Sequence, residues 1–221
     1  HSPKALGCNG RSMAITPNLD RLATQGTRFR NAYTPSPLCV PARACLATGL
    51  PVRENHCWDN AIAYSGQHAS WGHRLQSAGR RTAAVGKLHF TDVSASTGFD
   101  EQLVPMHLYA NGDLHGSLRD PLPVRHQSRS IADRIGPGET EYTEYDRKIA
   151  ELAQDWLRAR SGAREGPWAL FVSFICPHYP LVAPQSFYDL YPLQRIPLPK
   201  RRVEPWHPKN AWWAEFERSY V

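Results

Sequence analysis

Trp168 to Cys176 is the longest apolar run of the chain, and a proline stands at each end of it, Pro167 before and Pro177 after. The run is far shorter than the roughly 18 residues a membrane span needs, and its aromatic and β-branched content suits a buried strand. The stretch before it has a different period. From about Thr143 to Arg160, Ile149, Leu152, Ala153, Trp156 and Leu157 recur at helical spacing and form one apolar stripe. Upstream the same alternation repeats. Thr16 as N-cap and Pro17 at the first position open a helix with Leu19 and Leu22 on one face, and Gly26 ends it. Thr27 to Tyr33 then alternates like a strand. Ser70 to Ala78 reads as a short helix stopped by Gly79, Arg81 to Gly86 as a strand, and about Ser186 to Tyr191 as a last short helix.

Strands that alternate with helices predict an α/β protein with a mostly parallel central sheet flanked by helices. Residues 91 to 140, rich in Gly, Pro and His, are expected to be a loop-rich insertion. In parallel sheets of this kind ligands collect beyond the carboxyl ends of the strands. Lys87 and His89 leave one such end, and His178 leaves another.

A fourth segment converges on that edge. Pro35, Pro37 and Pro41 impose an irregular loop that delivers Cys39 to a run of helix formers ending at Gly49. Cys39 therefore sits at or just before a helix N-terminus, where free N–H groups favour negative charge. Arg43, four residues on, returns over the same turn. By itself this is equally an anion site with a nucleophile or an incidental cysteine beside a surface arginine. Two histidines, a lysine and an arginine around Cys39 make a site for a tetrahedral oxyanion.

Lys and Arg outnumber Asp and Glu by 26 to 20, and the arginines are scattered. With no reader motif, nucleic-acid binding is not expected; a solvated basic surface or attraction of small anions is. No apolar run suggests a membrane. Cysteines 8, 39, 45, 57 and 176 are odd in number, widely spaced and without a C-x-x-C pair, which argues against a disulfide scaffold or a zinc site. A reducing, cytoplasmic compartment is the expectation, with any leader before His1 left open. Trp58, Asp59 and Asn60 are read either as pocket lining or as a turn. His56, His68, His73, His107, His115 and His126 carry no motif and are read as solvated or packed. Cys45 is read as packing. Trp206, Trp212 and Trp213 are read as helix-packing aromatics before a cap for a cationic substrate.

With these residues in view, the chain resembles the type I sulfatases of the alkaline phosphatase superfamily. Cys39-x-Pro41-x-Arg43 with Thr48-Gly49 looks like their signature, and residues 16 to 23 with Gly26 and Phe29 are similar to their opening helix. Gly86-Lys87-x-His89 and Pro177-His178-x-Pro180 look like their two other substrate motifs, in the right order. The nearest flavour is the choline-sulfatase-like bacterial group, which also contains phosphonate monoester hydrolases. The resemblance implies that Cys39 is converted by a formylglycine-generating enzyme to Cα-formylglycine, whose hydrate attacks sulfur and gives a covalent sulfate ester. Arg43 would steady that group, Lys87 would bridge it to the sulfate, His89 would bond a diol hydroxyl, and His178 would contact the sulfate or the leaving oxygen. A divalent metal, calcium first and magnesium or manganese next, would be bound partly by residue 39.

The family's metal carboxylates come from a segment at the end of a first strand and from an Asp-His or Asp-Asn pair far down the chain. No such pair followed by glycine occurs in this sequence. The remaining ligands are therefore expected outside it, and residues 1–221 are expected to be a partial sulfatase domain, incomplete at both ends and inactive alone. The implied function is hydrolysis of a small anionic sulfate ester. The alternatives are a phosphonate or phosphate ester hydrolase, a non-catalytic anion-binding fragment, and a thiol hydrolase using Cys39 with His89 or His178. Choline, aryl, sugar and lipid sulfates, and a monomer or homo-oligomer, all stay open.

Overall fold

The computed structural model describes residues 5–10, 13–108, 112, 134–162 and 166–197. They fall into two units, 1–34 and 35–221. The readings of His115, His126, Trp206, Trp212 and Trp213 lie outside the described residues.

In the first unit, helix α1 spans Pro17–Gln25 after a 3-10 turn at Gly7–Asn9. Thr16 is its N-cap residue as expected, but its hydroxyl makes no cap bond. It accepts from the Gly7 N–H at 2.9 Å and donates to Asp20 Oδ1 at 2.9 Å. Asp20 Oδ1 also accepts from the Cys8 N–H at 2.7 Å, so one carboxylate ties the turn to the helix. Leu19 and Leu22, expected to pack, are exposed. Thr27 to Tyr33 does not form a strand, for it finds no partner among the described residues. Alternation alone does not make a strand; pairing and burial do.

In the second unit the elements alternate as expected. Helix α2 spans Cys39–Thr48, α3 Val52–Asn55 and α4 Trp71–Ser77, followed by β1 at Arg81–Lys87 and β2 at Glu101–Met106. A two-residue bridge β3 (Gly136–Pro137) precedes helix α5, Glu141–Arg160, and strand β4, Trp168–Ser173. The bridge β5 (Val182–Ala183) and helix α6 (Gln185–Tyr188) close the set. The sheet has the order β2-β1-β4 with both pairings parallel, and β3 pairs with β5. Strand β2 corrects the reading of residues 91–140 as loops. Its Gly- and Pro-rich surroundings and Pro105 hide it, and it exists because β1 offers an edge.

From Thr82 to Lys87 every residue of β1 is buried. Since successive side chains point to opposite faces, both faces of this central strand are covered. Ala44 and Ala47 of α2 join Tyr64, Ala84, Leu88 and Phe90 in one cluster, with Phe99 and Phe171 against it. Helix α5 buries Thr143, Ile149, Ala153 and Trp156, whereas Leu157 at the margin of the expected stripe is exposed. Gly86 (φ 97°) is the contact that lets α5 approach. A Cβ there would lie 2.3 Å from Ser173 O and 2.6 Å from Ile149 Cδ1. Trp156 donates to Glu101 at 3.0 Å and carries the Arg160 guanidinium 3.7 Å above its ring, so α5 is pinned to β2 as well. No helix among the described residues is long and apolar enough to cross a membrane.

Candidate active site

Cys39 is the first residue of α2 and is half-buried. A helix leaves its first four N–H positions without an intrahelical partner, and here Pro41 has no N–H to leave. The Val40 N–H donates to Asn60 Oδ1 at 3.1 Å, a cap supplied from the following loop. Asn60 thus answers the open reading of residues 58–60: Asp59 folds a turn by accepting from the Ala61 N–H at 2.8 Å, and Asn60 holds the helix that presents Cys39. Sequence gave only a weak hint of it, since the partners lie 20 residues apart.

Arg43 crosses from α2 to the sheet. Its Nη1 donates to Lys87 O at 2.6 Å and to Ser173 Oγ at 3.0 Å, touching the carboxyl ends of β1 and β4 together. Burial draws its pKa down, while Cys39 and Tyr145 oppose that shift. Lys87 closes β1 with only 4% of its surface exposed, and burial lowers its pKa too; Cys39 pulls the other way and Arg43 adds to the lowering.

His89 stands in left-handed backbone (φ 54°), with its N–H on Met106 O at 2.8 Å. Its Nδ1 is buried and finds no partner among the described residues. Burial first, then the charges of Lys87, Arg43, His178 and His107, push its pKa down to about 3, so the ring is neutral near pH 7.

His178 leaves the end of β4 in a loop with cis peptides before Pro177 and Pro180. Two bonds to one carboxylate hold this loop: Asp146 Oδ1 accepts from the Ile175 N–H at 2.7 Å and Oδ2 from the Cys176 N–H at 3.0 Å. Burial and then Asp146 raise the Cys176 thiol to about 11, so it stays protonated and is no second nucleophile. His178 Nδ1 lies 3.0 Å from Tyr179 O, and its ring meets Tyr142 edge-on at 5.7 Å. Because a carbonyl only accepts, Nδ1 carries the proton and Nε2 is left for a ligand.

The structure therefore brings Cys39, Arg43, Lys87, His89 and His178 to one edge of the sheet. It adds three residues with no motif to announce them. Ser173 receives Arg43, Asp146 holds the His178 loop, and His107 lies within electrostatic reach of His89, its Nε2 3.0 Å from Gln102 Oε1.

A hydrated aldehyde at position 39 fits this setting, which is half-buried, at a helix N-terminus and faced by two cations. A divalent metal does not fit the described residues. Hard cations take oxygen ligands, and no group of three His, Cys, Asp or Glu among these residues could hold one.

The fold is thus a parallel α/β sheet that gathers cationic side chains around a helix-terminal residue. The family model for sulfatases matches residues 2–202, and the chain belongs to the sulfatase family. It is 37% identical over 183 residues to the choline-sulfatase of Rhizobium meliloti, covering 79% of this chain and 36% of that relative. An N-acetylglucosamine-6-O-sulfatase of Bacteroides thetaiotaomicron is 37% identical over 115 residues, 52% of this chain and 20% of the relative. The crystal structure of the phosphonate monoester hydrolase of Agrobacterium radiobacter superposes with a TM-score of 0.63 at 21% identity, covering 90% of this chain and 44% of that one, and shows the shared fold. The chain spans about a third or less of the length of these two curated relatives.

Proposed function

We propose that the whole protein hydrolyses a sulfate monoester at residue 39. The observation that carries this reading is the gathering of Arg43, Lys87, His89 and His178 about half-buried Cys39, in a chain of the sulfatase family. Cys39, converted to formylglycine by a formylglycine-generating enzyme, would supply the nucleophilic oxygen as its hydrate.

Arg43 remains a cation despite burial, since guanidinium groups do not lose their proton in proteins. Tied to Lys87 O and Ser173 Oγ, it holds fixed positive charge against the oxygen of residue 39. Lys87 contributes a partly desolvated ammonium whose attraction for an anionic ester is stronger than it would be in water. His89 is neutral while the site is empty. A bound anion offsets the neighbouring cations and raises its pKa, which readies it to take the proton of the attacking hydroxyl. His178 presents Nε2 to the ester and, with a proton taken up there from solvent, passes it to the departing alkoxide as the sulfur–oxygen bond to that group breaks.

The test couples mass spectrometry of the Cys39 peptide, from protein co-expressed with the maturing enzyme, to turnover of paired aryl sulfate and aryl phosphonate esters. Conversion at Cys39 and preference for sulfate are expected. An unconverted thiol would make the protein an anion binder. A strong phosphonate preference would make it a phosphonate ester hydrolase, and inactivation by iodoacetamide at Cys39 would make it a thiol hydrolase.

A further inference from the structure

Strand β2 carries a defect beside the site. Its pairing with β1 runs in register up to Val85 opposite Leu103, and the next pair is Lys87 opposite Met106. Two steps along β1 correspond to three along β2, so β2 holds one extra residue. Val104 sits inside that interval with φ 42°, a strained conformation for a β-branched residue. A second observation agrees. Gln102 and His107 are separated by 5 in sequence, which in a regular strand puts them on opposite faces, yet their side chains meet at 3.0 Å. The extra residue turns the end of the strand over, as a bulge does.

Beyond the bulge, Met106 O accepts two N–H groups, from Leu88 at 3.0 Å and from His89 at 2.8 Å. His89 is itself left-handed, so this carbonyl pins the strained residue that carries the imidazole. The bulge in turn is held from α5. The Tyr145 hydroxyl donates to Val104 O at 2.6 Å, and burial raises the Tyr145 pKa, which keeps the donor protonated. A continuous chain of contacts runs from Tyr145 through Val104 and Met106 to His89.

We propose that Tyr145 is a positioning residue for His89, acting through the Val104 bulge. Its hydroxyl holds the carbonyl of a strained residue, the bulge aims the Met106 carbonyl, and that carbonyl fixes the backbone from which His89 reaches the ester. The inference rests on the proposed sulfatase reaction for its kinetic arm alone.

Tyr145→Phe removes one oxygen and leaves the ring in place. Two readouts on the whole, matured protein test the idea: steady-state kinetics on an aryl sulfate, and hydrogen–deuterium exchange of the peptide holding Leu88 and His89. The expected result is a kcat about 10-fold lower with KM within twofold, faster exchange confined to the 87–90 peptide, and an unchanged melting temperature. Adding Val104→Gly, which removes the cost of positive φ, is expected to restore part of both. Unchanged exchange at 87–90 overturns the proposal, as does uniformly faster exchange with a lower melting temperature, which marks a general structural role. If no sulfate ester is turned over and exchange still rises only at 87–90, the positioning device stands and the sulfatase reading falls.

Discussion

His89 and His178 reach the same site from two strand ends, and they are held in opposite ways. The His89 side is a main-chain structure: beyond the last β1–β2 pair, Met106 O grips two consecutive N–H groups. The His178 side depends on a side chain: Asp146 of α5 accepts the Ile175 and Cys176 N–H groups, and one main-chain bond, from the His178 N–H to Ile175 O, closes the loop. One imidazole is set in a buried, cationic corner and kept neutral. The other lies between two tyrosines with one nitrogen tied to its neighbour's carbonyl. A base needs a fixed environment to tune it, whereas a group that meets varied leaving oxygens gains from a lighter support.

Substitutions can break this contrast. Cys39→Ala sets the scale: loss of the nucleophile should remove turnover on the order of 10⁶-fold while an inorganic sulfate probe still binds. Next, His89→Ala should lower kcat by about 10²–10⁴, the range for a general base. His178→Ala should cost less, about 10²-fold, and should weigh more on esters with poor leaving groups. Equal losses at both positions, on good and poor leaving groups alike, would erase the distinction drawn here.

Asp146→Ala sharpens the comparison from the structural side. It leaves two partly buried N–H groups without their charged acceptor, a cost of about 1.5–3 kcal/mol per protein by denaturant titration. Hydrogen exchange should rise at 175–178 and stay unchanged at 87–90. A matching rise at both would mean that the two supports are one.

A further effect lies in the pH dependence of stability. The folded-state pKa of His89 is about 3, below the roughly 6.5 of an unfolded chain, so between those values the unfolded state binds more protons. Stability should therefore fall as pH drops from about 6.5 toward 3, through this group. His89→Gln should flatten that slope in urea titrations. An unaltered slope in His89→Gln would show that the ring is not held neutral by its surroundings.

Much of this was legible before any coordinates. Prolines and glycines at fixed offsets mark α1, α2 and α4, and the apolar stripe marks α5. Strand β1 is buried and looks it; β4 reads as buried from its apolar run, yet Trp168 is exposed, the next four residues are half-buried and only Ser173 is buried. Strand β2 does not read as a strand: Glu101, Gln102 and Pro105 give it neither alternation nor propensity. Thr27 to Tyr33 shows the converse, a good pattern without a partner. The five site residues carry motif chemistry, whereas Asn60, Ser173, Asp146 and Tyr145 act through geometry that no spacing announces.

The sequence by itself determined the main helices, strands β1 and β4, the residues with chemistry and the family, because each depends on local pattern and on side-chain type. Tertiary structure decided which of those elements pair and what tunes the chemistry. A neutral His89 needs burial beside the cations Arg43 of α2 and Lys87 of β1. Its backbone needs a bulge in a strand that the sequence conceals, clamped by a tyrosine 41 residues beyond it. Such contacts cost chain entropy to form and are stable only when the whole sheet edge forms at once, so no short stretch of sequence can carry their signature.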